Sequence, residues 1–215
     1  MNYKVEDIKR DIRIALDQNK SSEALEGLGD VDTLTVEEII ENRLVPAVRV
    51  VLLNAPLALL GGGIPLKCNI NWHSAPGQGS GSVLLPNDFL RLVTFQMSDW
   101  SRAVYSAITP DNPAYAMQKS RFPGIRGNTQ NPVVAIVNTG VGMELEFYSC
   151  SGGSGVSTKQ ATYIPEPRII GDSIHIPHKV KEAVVYYAAY LVALALQQKD
   201  LSEQLNNISI SLLKP

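Results

Sequence analysis

Val5, Ile8, Ile12, Ala15 and Leu16 recur every three or four residues, with Glu6, Asp7, Lys9, Arg10 and Arg13 between them. That spacing predicts a short amphipathic helix, because side chains three and four apart share one face. Residues 20–34 are small, polar and acidic, contain Gly27 and Gly29, and read as a loop. A second helix starts at Thr35, where Glu38 three residues later completes the pattern of a capping box. Its apolar stripe runs through Ile39, Ile40, Leu44, Val48, Val51, Leu52 and Ala55. Pro46 inside the stripe predicts a kink, since proline removes a backbone donor and crowds the previous turn. Pro56 and Gly61-Gly62-Gly63 end the segment near residue 60.

From Ile64 to Ile176 the texture changes. Prolines and glycines punctuate short apolar runs, the mark of an antiparallel β region. The expected strands are 67–72, 81–85, 89–98, 102–108, 132–138, 143–150, 168–170 and 173–176. Met143-Glu144-Leu145-Glu146-Phe147-Tyr148 alternates with period two, so one face is buried and one wet, and Asn138–Gly142 reads as the hairpin turn before it. Residues 73–80 and 109–131 fit no element. Long irregular loops in a compact domain carry function, which makes 109–131 an expected contact surface.

The last helix is expected from Pro177 to about Lys199. From Ala183 to Leu196 every residue is Ala, Val, Leu or Tyr. That run is shorter than the ~20 residues a membrane span needs, so it reads as a helix buried on nearly all sides. Its cover comes either from a neighbouring subunit or from the chain's own core. The alternating tail Asn206–Pro215 reads as an extended arm that adds a strand to a neighbour, or as a frayed end. The predicted class is α+β. A helical domain of 1–63 plus 177–205 receives an inserted antiparallel β domain, sandwich or barrel-like, at 64–176, and an extended arm follows at 206–215.

Composition narrows the function. The chain of 215 residues is 45% hydrophobic and 19% charged with a net charge of −2, which excludes wholesale disorder and a nucleic-acid-coating surface. Two cysteines, Cys68 and Cys150, are not expected to make a disulfide scaffold or a four-ligand zinc site. The first residues lack the apolar run of a signal peptide, so folding in reducing cytosol is expected. Charge is unevenly spread: residues 1–42 hold 5 basic and 11 acidic side chains, and residues 64–132 hold 6 and 3. These are either two solvated faces or complementary faces of a self-associating subunit.

Catalytic patterns are missing. Gly61-Gly62-Gly63-Ile64-Pro65-Leu66-Lys67 lacks the spacing and hydroxyl of a phosphate loop. Gly152-Gly153-Ser154-Gly155-Val156 lacks the last glycine of a nucleophile elbow. His175 and His178 have no third ligand spaced with them, and Cys68 and Cys150 read as unreactive buried thiols. Asp88 and Asp99 read as turn or cap residues. No catalytic, cofactor or metal site is expected. Trp100, at a hairpin with Arg102, is either core or a contact anchor.

Two N-terminal helices, a β region after the second, the run Leu85-Pro86-Asn87-Asp88-Phe89-Leu90-Arg91-Leu92-Val93, the Trp100–Arg102 turn and the Ala/Tyr-rich helix 183–196 form a familiar order. In this the chain resembles the head-to-tail adaptor (tail-tubular-A-like or ring) proteins of short-tailed bacteriophages, including crAss-like phages. The resemblance implies a structural virion protein, made in the host cytoplasm and placed at the head–tail junction. It implies a ring, dodecameric in the family, seated under the portal protein and joined below to a tail or second ring protein. It further implies that DNA passes through the channel during ejection without specific binding, and that no cofactor, membrane or catalysis is involved. A ring contact is heterologous, joining two different faces. The expected subunit-interface residues are Val48, Leu52, Val184, Tyr187, Tyr190, Leu191 and Leu194. The expected partner contacts are Trp100, Arg102, Lys119, Arg121, Arg126, Ile208, Ile210 and Leu212, and the acidic residues of 1–42 are expected to line the channel. A second reading is a β-domain module that binds tail or host glycans through Trp72, Trp100, Tyr105 and Tyr115. A third is a hydrolase using Cys150 or Ser154 with His175.

Overall fold

The computed structural model describes residues 1–16, 35–73, 79–120, 122 and 125–214. In chain order these form β1 (Asn2–Lys4), α1 (Val5–Ala15), α2 (Val36–Asn54), α3 (Leu57–Leu60), β2 (Ile64–Pro65), β3 (Ile70–Trp72), β4 (Gly79–Leu84) and β5 (Phe89–Met97). There follow α4 (Pro113–Met117), β6 (Val134–Thr139), β7 (Gly142–Cys150), β8 (Thr158–Pro165), β9 (Ile169–Ile170), β10 (Ser173–His175), a 3-10 turn (His178–Val180), α5 (Lys181–Ala195) and α6 (Lys199–Leu212). The class is α+β with antiparallel sheets, and the chain divides into two compact units, Met1–Gly61 with Glu166–Pro215, and Gly62–Pro165.

The helical unit is built around α5, which packs against α1, α2 and α6. Ile8 and Ile12 from α1, and Ile40, Leu44, Val48 and Val51 from α2, have essentially no exposure. They meet Ala183, Val184, Ala188, Ala189 and Val192 of α5, where the small side chains admit several neighbours at once. Each such valine, leucine or isoleucine contributes roughly 1.5–3 kcal/mol when removed from water. The Thr35 hydroxyl accepts from the Glu38 N–H, and the Glu38 carboxylate accepts from the Thr35 N–H at 2.7 Å, so the capping box is present. α2 runs unbroken through Pro46; Ala47 and Val48 beside it are fully buried, and that packing offsets the one lost helical bond.

Three expectations are corrected here. The β insertion ends at Pro165 rather than 176, because β9 and β10 form a hairpin that pairs with β1 (Tyr3↔Ile174) inside the helical unit. The long C-terminal helix stops at Ala195, where the Gln198 N–H donates to Ala193 O (2.9 Å) and the Gln197 N–H to Leu194 O (3.1 Å). This double closure turns the chain back. Residues 206–212 are then helical, not an extended arm: Ser202, Leu205 and Ser209 at three- and four-residue spacing face α5, and the Ser209 hydroxyl donates to Ala183 O at 2.9 Å.

In the β unit, sheets β2-β8-β5 and β3-β4-β7-β6 contribute to one core. Phe95 of β5 and Phe147 of β7 meet at 5.8 Å between ring centroids, and Trp100 packs edge-on against both. The Thr139–Gly142 turn joins β6 to β7, and Leu145 and Phe147 point inward as the alternation requires. Residues 102–108 do not form a ladder strand. Their backbone bridges β5 at Val104↔Phe95 and β6 at Ile108↔Ala135, and the rest of the segment is irregular. Residues 20–34, read above as a loop, lie outside the described residues, as do 74–78 of the 73–80 stretch.

Candidate interaction surfaces

Helix α6 leaves a groove on each flank of the helical unit. The larger, about 980 Å3, lies among Ile14, Leu59, Val185, Tyr186, Leu201 and Ile208, with Asp11, Lys181 and Glu182 at its rim. The Lys181 ammonium is held by Asp11 at 2.7 Å and stands 5.2 Å from the Tyr3 ring. The smaller, about 470 Å3, is lined by Val50, Val51, Pro56, Tyr187, Ile210 and Leu213. Ile208 and Ile210 are 40% and 49% exposed, and Ile14 on α1 is 62% exposed.

The 109–131 segment of the β unit is not featureless. Asn112 caps α4 by accepting from the Ala114 N–H at 2.9 Å. Gln118 is 7% exposed and bridges the loop: its amide donates to Ala114 O (2.9 Å) and its oxygen accepts from the Gly127 N–H (2.8 Å). Tyr115 donates to Glu146 on β7 at 3.1 Å, which also accepts from Tyr148 at 2.5 Å. Burial, reinforced by the Glu146 carboxylate, pushes both phenols above their ordinary range. At the far end Asn128 accepts from the N–H groups of Gln130 and Asn131, and Arg102 donates to Asn131 Oδ1 at 2.6 Å. This scaffold carries Met117, Phe122 and Ile125 outward at 50%, 69% and 54% exposure, with Lys119 beside them.

The placement of the expected residues is mixed. Leu194 is exposed, and Tyr187, Tyr190 and Leu191 are half-buried on α5, the two tyrosine rings 5.3 Å apart. Val48, Leu52 and Val184 are at most 3% exposed within the chain's own helical core and present nothing to a neighbour. Trp100, at 3%, belongs to the β core rather than a contact anchor. Trp72 packs edge-on against Phe147 at 5.3 Å, so the glycan reading loses two of its four stacking rings, while Tyr105 stays exposed. Arg102 and Lys119 are exposed, Arg126 and Leu212 half-buried, and Arg121 lies outside the described residues.

The acidic residues expected in a channel are engaged locally where they are described. Glu6 and Glu41 hold the buried Lys9 ammonium, Asp7 pairs with Arg10, Glu37 with Arg13 and Asp11 with Lys181. Burial opposes the charge on Lys9, but the two carboxylates more than offset it and raise its pKa. Asp17, Glu23, Glu26, Asp30 and Asp32 lie outside the described residues.

Titratable groups of the β unit have structural tasks. Asp99 accepts from the N–H groups of Ser151 (2.7 Å) and Gly152 (3.2 Å), and Asp88 accepts from the Tyr163 hydroxyl at 2.9 Å. Burial, with the Asp99 charge and hydrogen bond added, pushes the Cys150 thiol up to about 12. A thiol so held is not a nucleophile at neutral pH. His175, in the helical unit, is bonded through Nδ1 to Asn2 Oδ1 at 2.9 Å; burial lowers its pKa.

Met117, Phe122, Ile125 and Gln118 were not singled out by sequence. The available signal was three apolar residues inside a stretch rich in proline and glycine; nothing marked Gln118 as its buried brace. Compared with known proteins, the chain matches no family model and no curated sequence.

Proposed function

We propose that this protein is a structural subunit of a phage virion, a head-to-tail adaptor that forms a ring beneath the portal and joins it to the tail. One observation carries the reading: each chain presents two unlike apolar contact surfaces, the grooved flanks of α6 in one unit and the braced Met117–Phe122–Ile125 loop in the other. Unlike surfaces suit heterologous contacts, in which one face meets a different face and rotation closes the ring. The sequence resemblance supplies the rest of the proposal: twelve copies, the portal above, a tail or second ring protein below, and DNA passing through without specific contacts.

The test is mass by light scattering after size exclusion, for the protein alone and mixed with the portal encoded in the same genome. A ring-sized species in either sample is the expected result. A strict monomer of 23.4 kDa in both would refute the adaptor reading.

A further inference from the structure

The link between α5 and α6 is Leu196-Gln197-Gln198, and none of the three is a helix breaker. Leucine and glutamine rank among the good helix formers. Yet Gln197 stands at φ +60, in the left-handed region that ordinarily takes glycine at this closing position. The hairpin therefore carries a local penalty that a straight helix would not. If the link became helical, α5 and α6 would merge into one helix over residues 181–212, about 48 Å long at 1.5 Å per residue.

What holds α6 back is its seat on α5. That seat buries one large apolar side chain, Leu205, with Ser202 and Ser209, and is fastened by the Ser209–Ala183 bond. The grooves on both flanks leave Ile208 and Ile210 partly in water. Seat and occupant are nonetheless complementary, since the chain's own α6 fills it.

We propose that α6 exchanges between copies: α5 and α6 straighten, and the α6 of one copy takes the α5 seat of another. The occupant is a second copy of this chain. Each exchanged copy recovers the Leu205 burial and the Ser209–Ala183 bond, while Gln197 leaves the left-handed region and the link gains helical hydrogen bonds. Short hinges under strain favour this route to assembly. Reciprocal exchange gives a dimer and serial exchange a larger assembly; both put residue 209 of one chain beside residue 183 of another. The inference concerns this chain alone and does not depend on the adaptor reading.

Two measurements on the full chain test it, without portal. Sedimentation or light scattering across a concentration series is expected to show self-association, weakened about tenfold per hinge by Gln197→Gly, which removes the left-handed penalty from the hairpin and adds a glycine to the straight helix. A monomer at every concentration, or association unchanged in Gln197→Gly, overturns the proposal. Cysteines placed by Ala183→Cys and Ser209→Cys, with Cys68→Ala and Cys150→Ala, are then oxidised in the associated sample. Crosslinks between chains are expected; crosslinks within single chains only, in a sample that is associated, overturn it.

Discussion

Replacing Gln118 by methionine keeps nearly the same volume and removes both amide bonds that brace the 113–131 loop. Gln118 is buried, and so is its bond with the Gly127 N–H. The loss therefore has two parts: a hydrogen bond to Ala114 O, a net contribution of about 1 kcal/mol, and a buried donor left unpaired at Gly127, which costs about 1–3 kcal/mol. Taking the low end of each gives about 2 kcal/mol. Tyr115–Glu146 and Arg102–Asn131 hold the loop independently of Gln118, so the loss opens the loop locally rather than unfolding the unit. Native-state hydrogen exchange reads this directly. The Gly127 amide is expected to exchange about 30-fold faster in Gln118→Met, since 1.4 kcal/mol is tenfold, while the amides of β7 change little. An unchanged Gly127 rate would show that the brace does not hold the loop. Equal acceleration throughout β7 would show that the loop and the sheet beneath it open as one.

Three further outcomes are expected. Gly81→Ala places a Cβ 2.7 Å from Phe147 Cζ and 2.9 Å from the Asn71 carbonyl, so overpacking should cost about 1–3 kcal/mol in urea unfolding, and Phe147→Leu should rescue it only in part because the carbonyl stays. Cys150 should resist iodoacetamide at pH 8 in the native protein and react on unfolding; because the unfolded thiol ionises near 9 and the folded one near 12, its contribution to stability is lost as pH rises above 9. Thr35→Ala should lower Tm by about 3 °C at neutral pH. The Glu38 carboxylate is held below its ordinary 4.5 by the Thr35 N–H and hydroxyl, so its share of the capping stability is present above that pH and fades as pH falls through the lowered value, whereas the Thr35 hydroxyl's bond from the Glu38 N–H does not titrate; an unchanged Tm in Thr35→Ala at neutral pH would refute the capping account.

Local signals carried furthest where the local free energy agrees with the tertiary one. The capping box at Thr35, the faces of α1 and α2, the Thr139–Gly142 turn and the inward Leu145 and Phe147 follow from spacing and turn chemistry alone. Each depends on residues within a turn or two of one another, so a single sequence contains the information. The α+β class follows from the same periodicities.

The remaining features depend on partners distant in the chain. Asn206–Leu213 alternates like a strand, but a strand needs a neighbour, and the seat formed by the small side chains of α5 stabilises the helical face Ser202–Leu205–Ser209 instead. Val184 looked available for a second subunit because the helices of its own chain that enclose α5 pack there only in the tertiary structure. Trp100, which sequence leaves as either core or anchor, is core because Phe95 of β5 and Phe147 of β7 pack against it. β9 and β10 belong to the helical unit because β10 pairs with β1, a partner about 170 residues away in the chain. Gln118 is ordinary in sequence and becomes a brace only when Gly127 returns to it nine residues later. Sequence by itself determined the periodicities, caps and turns, which are short-range free energies. Tertiary structure alone decided which apolar faces are covered within the chain and which stay open, because burial is a property of what lies opposite.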